Sequence, residues 1–403
     1  MIIEPVEEVR GRIEAPPSKS YTHRAFFTGF ISGKMKVKNP LRCDDTEASI
    51  EVLRMLGAKI SWGGIEYVNP HPGRLNARKS GATARFSLGV SSQILGTTLV
   101  NGSPQLRRRP IGPLLNALRE LGVEIRDSHG YLPVIVKGKK IKKNSVKIDA
   151  SISSQFVSSL LFLGAKKGEF VIEVKNLVSK GYVDMTIEVL KEAGARVSRE
   201  EDRIYVEQGP KGGKFHIPGD YSSASFFLVA GAIFGKVKVE NLRKDFQPDA
   251  RIVDILEAFG AKVRRDSSFV EVMQGDLHGE KVDCRNHPDL FPILAVLGAY
   301  SKGTTVLKAP HLRYKESDRI RSMVIELRKM GADIKELRDG VLIQGGRTLH
   351  GGLLESHGDH RIAMALSVAA MGAKGRSIII DERCVEKSYP QFFRDLRRIA
   401  YDG

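Results

Sequence analysis

Apolar and polar positions along this 403-residue chain follow one pattern that returns roughly every 65–70 residues. A polar cluster precedes a nearly unbroken apolar stretch, such as Phe226-Phe227-Leu228-Val229-Ala230 or Ile293-Leu294-Ala295-Val296-Leu297. Helices apolar on all sides belong in a core. A β-rich segment follows, as in Phe170-Val171-Ile172-Glu173-Val174, and then an amphipathic helix. Ile320, Met323, Val324 and Leu327 trace the stripe of such a helix at i, i+3, i+4 and i+7. It ends at Gly57, Gly122, Gly194, Gly260 or Gly331, each followed by Ala or Val. Glycine suits the left-handed position after a helix. Ala195-Arg196-Val197 turning back to Ile204-Tyr205-Val206 then reads as a hairpin. The predicted order is helix, strand, helix, strand, strand. A last copy, Asp395-Leu396-Arg397-Arg398-Ile399, is cut off by the C-terminus.

About six copies in this length predict an α/β protein of two similar domains with about three repeats each. The repeat beginning near Tyr221 opens the second half. Residues 1–17 precede the first repeat and are expected to complete the sheet of the 219–403 domain, so that 18–218 forms an inserted domain. The chain then crosses near Pro17 and near Pro218-Gly219.

Composition narrows the function. Hydrophobic residues make up 41% of the chain, enough for packed cores. Cys43, Cys284 and Cys384 are far apart, which argues against a zinc site or a disulfide framework and fits a reducing compartment. The N-terminal MIIEPVEEVRGR lacks the apolar core of a signal peptide, and the run from Phe226 to Gly235 is too short to span a membrane. A soluble cytoplasmic protein is expected, without membrane contact. No G-x-x-x-x-G-K-[ST] or strand-linked G-x-G-x-x-G is present, so nucleotide hydrolysis and dinucleotide binding have no support.

The formal charge of +17 favours anionic ligands, and its placement is informative. Lys and Arg gather at helix starts, where the macrodipole disfavours them by about 0.3–1 kcal/mol each when exposed. Pro17-Ser18-Lys19-Ser20-Tyr21-Thr22-His23-Arg24, Ser80-Gly81-Ala82-Thr83-Ala84-Arg85 and Arg107-Arg108-Arg109-Pro110 are three such places, with Pro110 expected at the first helical position. Lys315-Glu316-Ser317-Asp318-Arg319 and Asp359-His360-Arg361 are two more. Either salt bridges between domains absorb these charges, or a multiply anionic ligand does. Recurrence at equivalent positions favours the ligand. Ser153 or Ser154, and Asp220, read individually as helix caps. Asp289 reads as a first-turn acid, Glu316 as an i, i+3 partner of Arg319, and His360 as a core histidine. Yet Asp289 and Glu316 are acids inside a cationic set, and carboxylates there can move protons.

Taken together, these motifs resemble the 5-enolpyruvylshikimate-3-phosphate synthase family of enolpyruvyl transferases. The resemblance runs over nearly the whole chain and includes Ser153-Ser154-Gln155-Phe156, Pro288-Asp289 and Lys387-Ser388-Tyr389-Pro390. It implies two domains of three inverse α/β units each, with the active site in the interdomain cleft. It also implies transfer of enolpyruvate from phosphoenolpyruvate to the 5-hydroxyl of shikimate 3-phosphate, with release of phosphate. No cofactor and no metal are implied, and a monomer is expected. By resemblance, Lys19 touches both substrates, and Ser20 and Arg24 hold the shikimate carboxylate. Ser153, Ser154 and Ser179 hold the 3-phosphate, and Gln155 lies between the substrates. Gly81, Arg109, Arg319, Arg361 and Lys387 contact phosphoenolpyruvate, and Lys315 lies near the reacting hydroxyl. Asp289 and Glu316 form the acid/base pair, with His360 and Tyr182 as further candidates. Lys79, Ala82 and Phe86 depart from the family's usual stretch, and His311 replaces an Asn of some members and is given no role.

Two other readings compete with this one. An enolpyruvyl transferase acting on a UDP-amino sugar would carry Lys-Asn where this chain has Lys19-Ser20, and often a loop Cys that is missing near Leu106 to Arg109. An RNA-binding protein would interleave basic and aromatic residues along a surface. Aromatic residues are only 7% of this chain and the cations sit at helix starts, so no nucleic-acid partner is expected.

Overall fold

A computed structural model describes residues 1–401. The chain forms two compact units, Pro17–Pro218 and a discontinuous one built from Met1–Pro16 with the chain from Gly219 onward. Each has its own apolar core.

In the inserted unit the repeat appears three times. Helices Lys19–Ser32, Gly81–Ser91 and Gln155–Lys167 are buried along most of their length. Each contributes one phenylalanine to a central contact. Phe27, Phe86 and Phe162 lie with ring centroids 5.0–5.8 Å apart and are fully buried. Phe86, one of the departures noted above, thus has a packing role. Gly89 lets two of these helices approach closely: an added Cβ would lie 2.3 Å from the Ser159 carbonyl oxygen.

The expected strand–helix–hairpin follows each buried helix. Phe170–Lys175 pairs antiparallel with Arg203–Gln208, which pairs with Arg196–Glu200. The amphipathic stripe faces inward: Ile320, Met323, Val324 and Leu327 are buried. All five helix-ending glycines are left-handed, with φ between 85° and 98°.

One feature is absent from the expected order. After each hairpin a further short strand leaves its own repeat and runs parallel to the first strand of another. Arg74–Asn76 joins Gly96–Asn101, Ser145–Asp149 joins Phe170–Lys175, and Lys214–His216 returns to Met35–Lys38. The third repeat therefore closes on the first.

The discontinuous unit repeats this plan around helices Tyr221–Phe234, Phe291–Tyr300 and His360–Met371. Its last repeat ends in helix Phe392–Ala400, with no hairpin after it among the described residues. The N-terminal segment takes that place. Ile2–Ile3 pairs antiparallel with the strand Ser377–Ile380, and Val9–Glu14 runs parallel to Gly235–Glu240.

Pro110 is not the first helical residue expected. A short helix, Pro104–Arg107, intervenes, and the next helix starts at Gly112 with Pro113 in its first turn. Arg109 lies in the connection, because the chain must turn back before it can enter the helix.

Two glycine substitutions separate backbone strain from steric clash. Gly331→Ala meets nothing closer than 3.5 Å, so it should cost only the left-handed penalty, about 1 kcal/mol. Gly89→Ala should cost more, about 1–3 kcal/mol, through overpacking. Thermal melts of the two variants should rank in that order.

Candidate active site

The buried helices have polar starts, and within each unit these starts meet. In the inserted unit Ser18 and Ser80 cap their helices by accepting from Tyr21 N–H and Thr83 N–H. Ser154 occupies the cap position of the third helix, but the Ser153 hydroxyl accepts the Gln155 N–H there. Contacts join the three starts. The Arg85 guanidinium donates to Gln155 Oε1 at 2.5 Å, and Ser49 Oγ links His23 Nδ1 to Thr83 Oγ1 at 2.8 and 2.7 Å.

Gly81 begins its helix beside two guanidinium groups. A Cβ there would lie 2.7 Å from an Arg109 nitrogen and 3.1 Å from an Arg85 nitrogen, so a larger residue would displace these guanidinium groups. Lys19 Nζ pairs with Asp45 Oδ2 at 2.9 Å. Arg24 is held by its own unit: Nε donates to Thr186 Oγ1, and the terminal nitrogens donate to the carbonyls of Ser20 and Tyr182. Burial pushes its pKa down to about 10, so it remains charged at neutral pH. Ser179 is buried and left-handed, with φ 55°, just before helix Gly181–Glu192.

In the discontinuous unit the corresponding end is an alternating chain of charges. Lys387 Nζ meets Glu316 Oε1 at 2.9 Å, and Glu316 Oε2 meets Arg319 at 2.9 Å. Arg319 meets Asp289 Oδ1 at 2.7 Å, and Asp289 Oδ2 meets Arg361 at 2.7 Å. Arg319 Nε also meets Asp359 Oδ2 at 2.8 Å, and Asp359 Oδ1 caps the helix of Arg361 by accepting its N–H. Arg319 is 1% exposed and Asp359 is fully buried, whereas Asp289 keeps 20% exposure. Three cations thus face three carboxylates. Acids of the same unit pair with these cations.

Burial alone would raise the Asp289 pKa, but Arg361, Arg319 and Lys315 outweigh it and hold the carboxyl well below its usual range. Asp249 shows the opposite balance. It accepts a hydrogen bond from Ser222 at the start of the Tyr221–Phe234 helix. Burial, then repulsion from Asp289, pushes it up to about 7 against Arg361. Burial, reinforced by Lys315, lowers His311 to about 3, so this imidazole is neutral. His360 is buried beside Asp359.

Arg85 and Asp359 stand in the helix-start motifs without a role of their own, and Asp45 and Asp249 stand in none; only the fold shows the groups that they meet. Elsewhere, ligand atoms of Glu326, Glu355 and His357 lie within 4.8 Å of one another. Lys329 Nζ, the Glu355 N–H and His357 already satisfy the Glu326 carboxylate. Among the described residues, no helix is long and apolar enough to cross a membrane.

Comparison with known proteins places this geometry in a class. The family model "EPSP synthase (3-phosphoshikimate 1-carboxyvinyltransferase)" matches residues 3–396. A 3-phosphoshikimate 1-carboxyvinyltransferase of Thermococcus kodakarensis is 49% identical over 99% of this chain and 100% of its own length. One of Pyrococcus abyssi is 47% identical over 100% of this chain and 98% of its own. Among solved structures, an EPSP synthase of Acinetobacter baumannii superposes with a TM-score of 0.81 at 28% identity, covering 99% of this chain and 98% of that one. The chain belongs to the EPSP synthase family and is a transferase of that family.

Asp249 offers a pH test. Its folded pKa of about 7 lies above the unfolded value of about 3.9. The stability that it contributes is therefore full below about pH 4 and falls as pH rises toward about 7. Asp249→Asn should remove this slope. The difference in melting temperature between wild type and variant, followed from pH 4 to 8, should change across that window; a constant difference would contradict it.

Proposed function

We propose that the protein transfers the enolpyruvyl group of phosphoenolpyruvate to the 5-hydroxyl of shikimate 3-phosphate and releases phosphate, a step toward chorismate and the aromatic amino acids. The observation that carries this reading is the chain Lys387–Glu316–Arg319–Asp289–Arg361 in a member of this family. It places two carboxylates among cations suited to a phosphate and a carboxylate.

The inserted unit supplies most contacts to shikimate 3-phosphate. Ser153, Ser154 and Ser179 take the 3-phosphate. Ser20 and Arg24 take the carboxylate, with one N–H on each terminal nitrogen of Arg24 not used by Ser20 or Tyr182. Gln155, Gly81 and Arg109 face phosphoenolpyruvate, and Lys19 reaches both substrates. The discontinuous unit supplies Arg361 and Lys387 for phosphoenolpyruvate, and Lys315 near the hydroxyl. Arg319 acts mainly through its field and by positioning Asp289 and Glu316, because its nitrogens already serve three carboxylates.

The chemistry is addition followed by elimination. C3 of phosphoenolpyruvate gains a proton, C2 becomes electrophilic, and the 5-hydroxyl adds to it while losing its own proton. The tetrahedral adduct then gives up a C3 proton and phosphate. Asp289 and Glu316 move these protons, and the Lys and Arg groups offset charge on the adduct. Before substrate arrives, Arg361, Arg319 and Lys315 stabilise Asp289 as an anion. Anionic substrate draws Arg361 toward itself, so Asp289 becomes a stronger base when one is required. The residues need neither metal nor organic cofactor for these steps. A cytoplasmic monomer fits this reading.

Phosphate release should require phosphoenolpyruvate and shikimate 3-phosphate together. Folded protein that releases none from the pair would remove the reading. Asp289→Asn and Glu316→Gln should lower kcat at least about a hundredfold, the scale of general acid–base catalysis, while KM changes far less. Equal loss in both parameters would deny them proton transfer.

A further inference from the structure

A groove of about 260 Å³ lies on the outer face of a sheet in the inserted unit, lined by Arg74, Asn76, Leu99, Asn101, Gly102 and Arg107 among others. The strand Arg74–Asn76 runs parallel to Gly96–Asn101, with Arg74 beside Leu99 and Asn76 beside Asn101. Strand alternation sends Leu75 into the core, where it is 2% exposed, and turns Arg74 and Asn76 outward. Arg107 ends the short helix Pro104–Arg107 and reaches back, its Nε donating to Asn101 Oδ1 at 3.0 Å and to the Gly102 carbonyl at 3.1 Å.

The groove presents donors and almost no acceptors. Asn76 Oδ1 is taken by the Arg78 N–H at 3.0 Å, and Asn101 Oδ1 by the Gly102 N–H at 2.9 Å and by Arg107. What remains are two side-chain amide nitrogens, the terminal nitrogens of Arg107 and the guanidinium of Arg74. Among the described residues, no carboxylate lines the space. The acids of the neighbouring helix, Asp44, Glu47 and Glu51, are already committed to Arg78. Two guanidinium groups without an acid, beside two amide donors, match a doubly charged oxyanion, which accepts several hydrogen bonds at once.

We propose that this groove is a second anion site, which binds a phosphate dianion either free or carried by a small phosphorylated metabolite. It uses none of the residues assigned to the proposed reaction, so it stands or falls separately.

The test is calorimetric titration of the full chain with inorganic phosphate and, in a separate arm, with glycerol 3-phosphate. Wild type should bind phosphate at one more site per chain than Asn76→Asp. That substitution keeps the oxygen that accepts the Arg78 N–H but sets a carboxylate in the groove. Arg74→Ala combined with Arg107→Ala should weaken the same site at least about tenfold and supplies the answer if Asn76→Asp fails to fold. Turnover without added phosphate should be unchanged in both variants. A site lost for inorganic phosphate alone identifies the free ion, and one lost for both probes identifies a phosphoryl group on a larger molecule. Isotherms that coincide for wild type and folded variants with both probes overturn the proposal.

Discussion

A helix that is apolar on every side can meet polar surroundings only at its ends. That constraint organises each unit of this protein. Three such helices, one from each repeat, are enclosed by amphipathic helices and small sheets, and their starts meet at one end. Exposed N–H groups and the helix dipole favour anions there, which suits phosphate and carboxylate substrates and opposes the Lys and Arg needed to hold them.

The two units resolve this opposition with different balances. In the inserted unit, serine caps, one Lys19–Asp45 pair and hydrogen bonds from Arg24 to backbone carbonyls absorb the charge. In the discontinuous unit, acids alternate with cations around a buried Arg319. Removing one member of a buried ion pair leaves an uncompensated charge at a cost of about 3–5 kcal/mol. A balanced chain is nonetheless responsive, because an arriving anion competes for the same cations.

Much of this was legible in the sequence. The glycine after each amphipathic helix has to adopt a left-handed backbone, and all five do. The stripe at Ile320, Met323, Val324 and Leu327 has to face a core, and it does. The short strand handed from one repeat to another was not legible. Arg74–Asn76 and Lys281–Asp283 have three residues each, too few for a period to show, and their pairing partners belong to other repeats. Pro110 misled because a proline before a polar stretch looks like a helix start, and only the path of the chain shows that the turn of Pro104–Arg107 comes first.

Sequence alone determined the repeat, the buried and amphipathic helices, their ends, the excess of cations at helix starts and the family resemblance. These are local properties: periodicity, caps and short motifs depend on residues a few positions apart. Tertiary structure decided which acids those cations meet. Arg319 contacts Asp289 and Asp359, 30 and 40 residues away, and Lys387 contacts Glu316, 71 residues away. Electrostatic partners are set by distance in space, and the packing of the repeats alone fixes those distances.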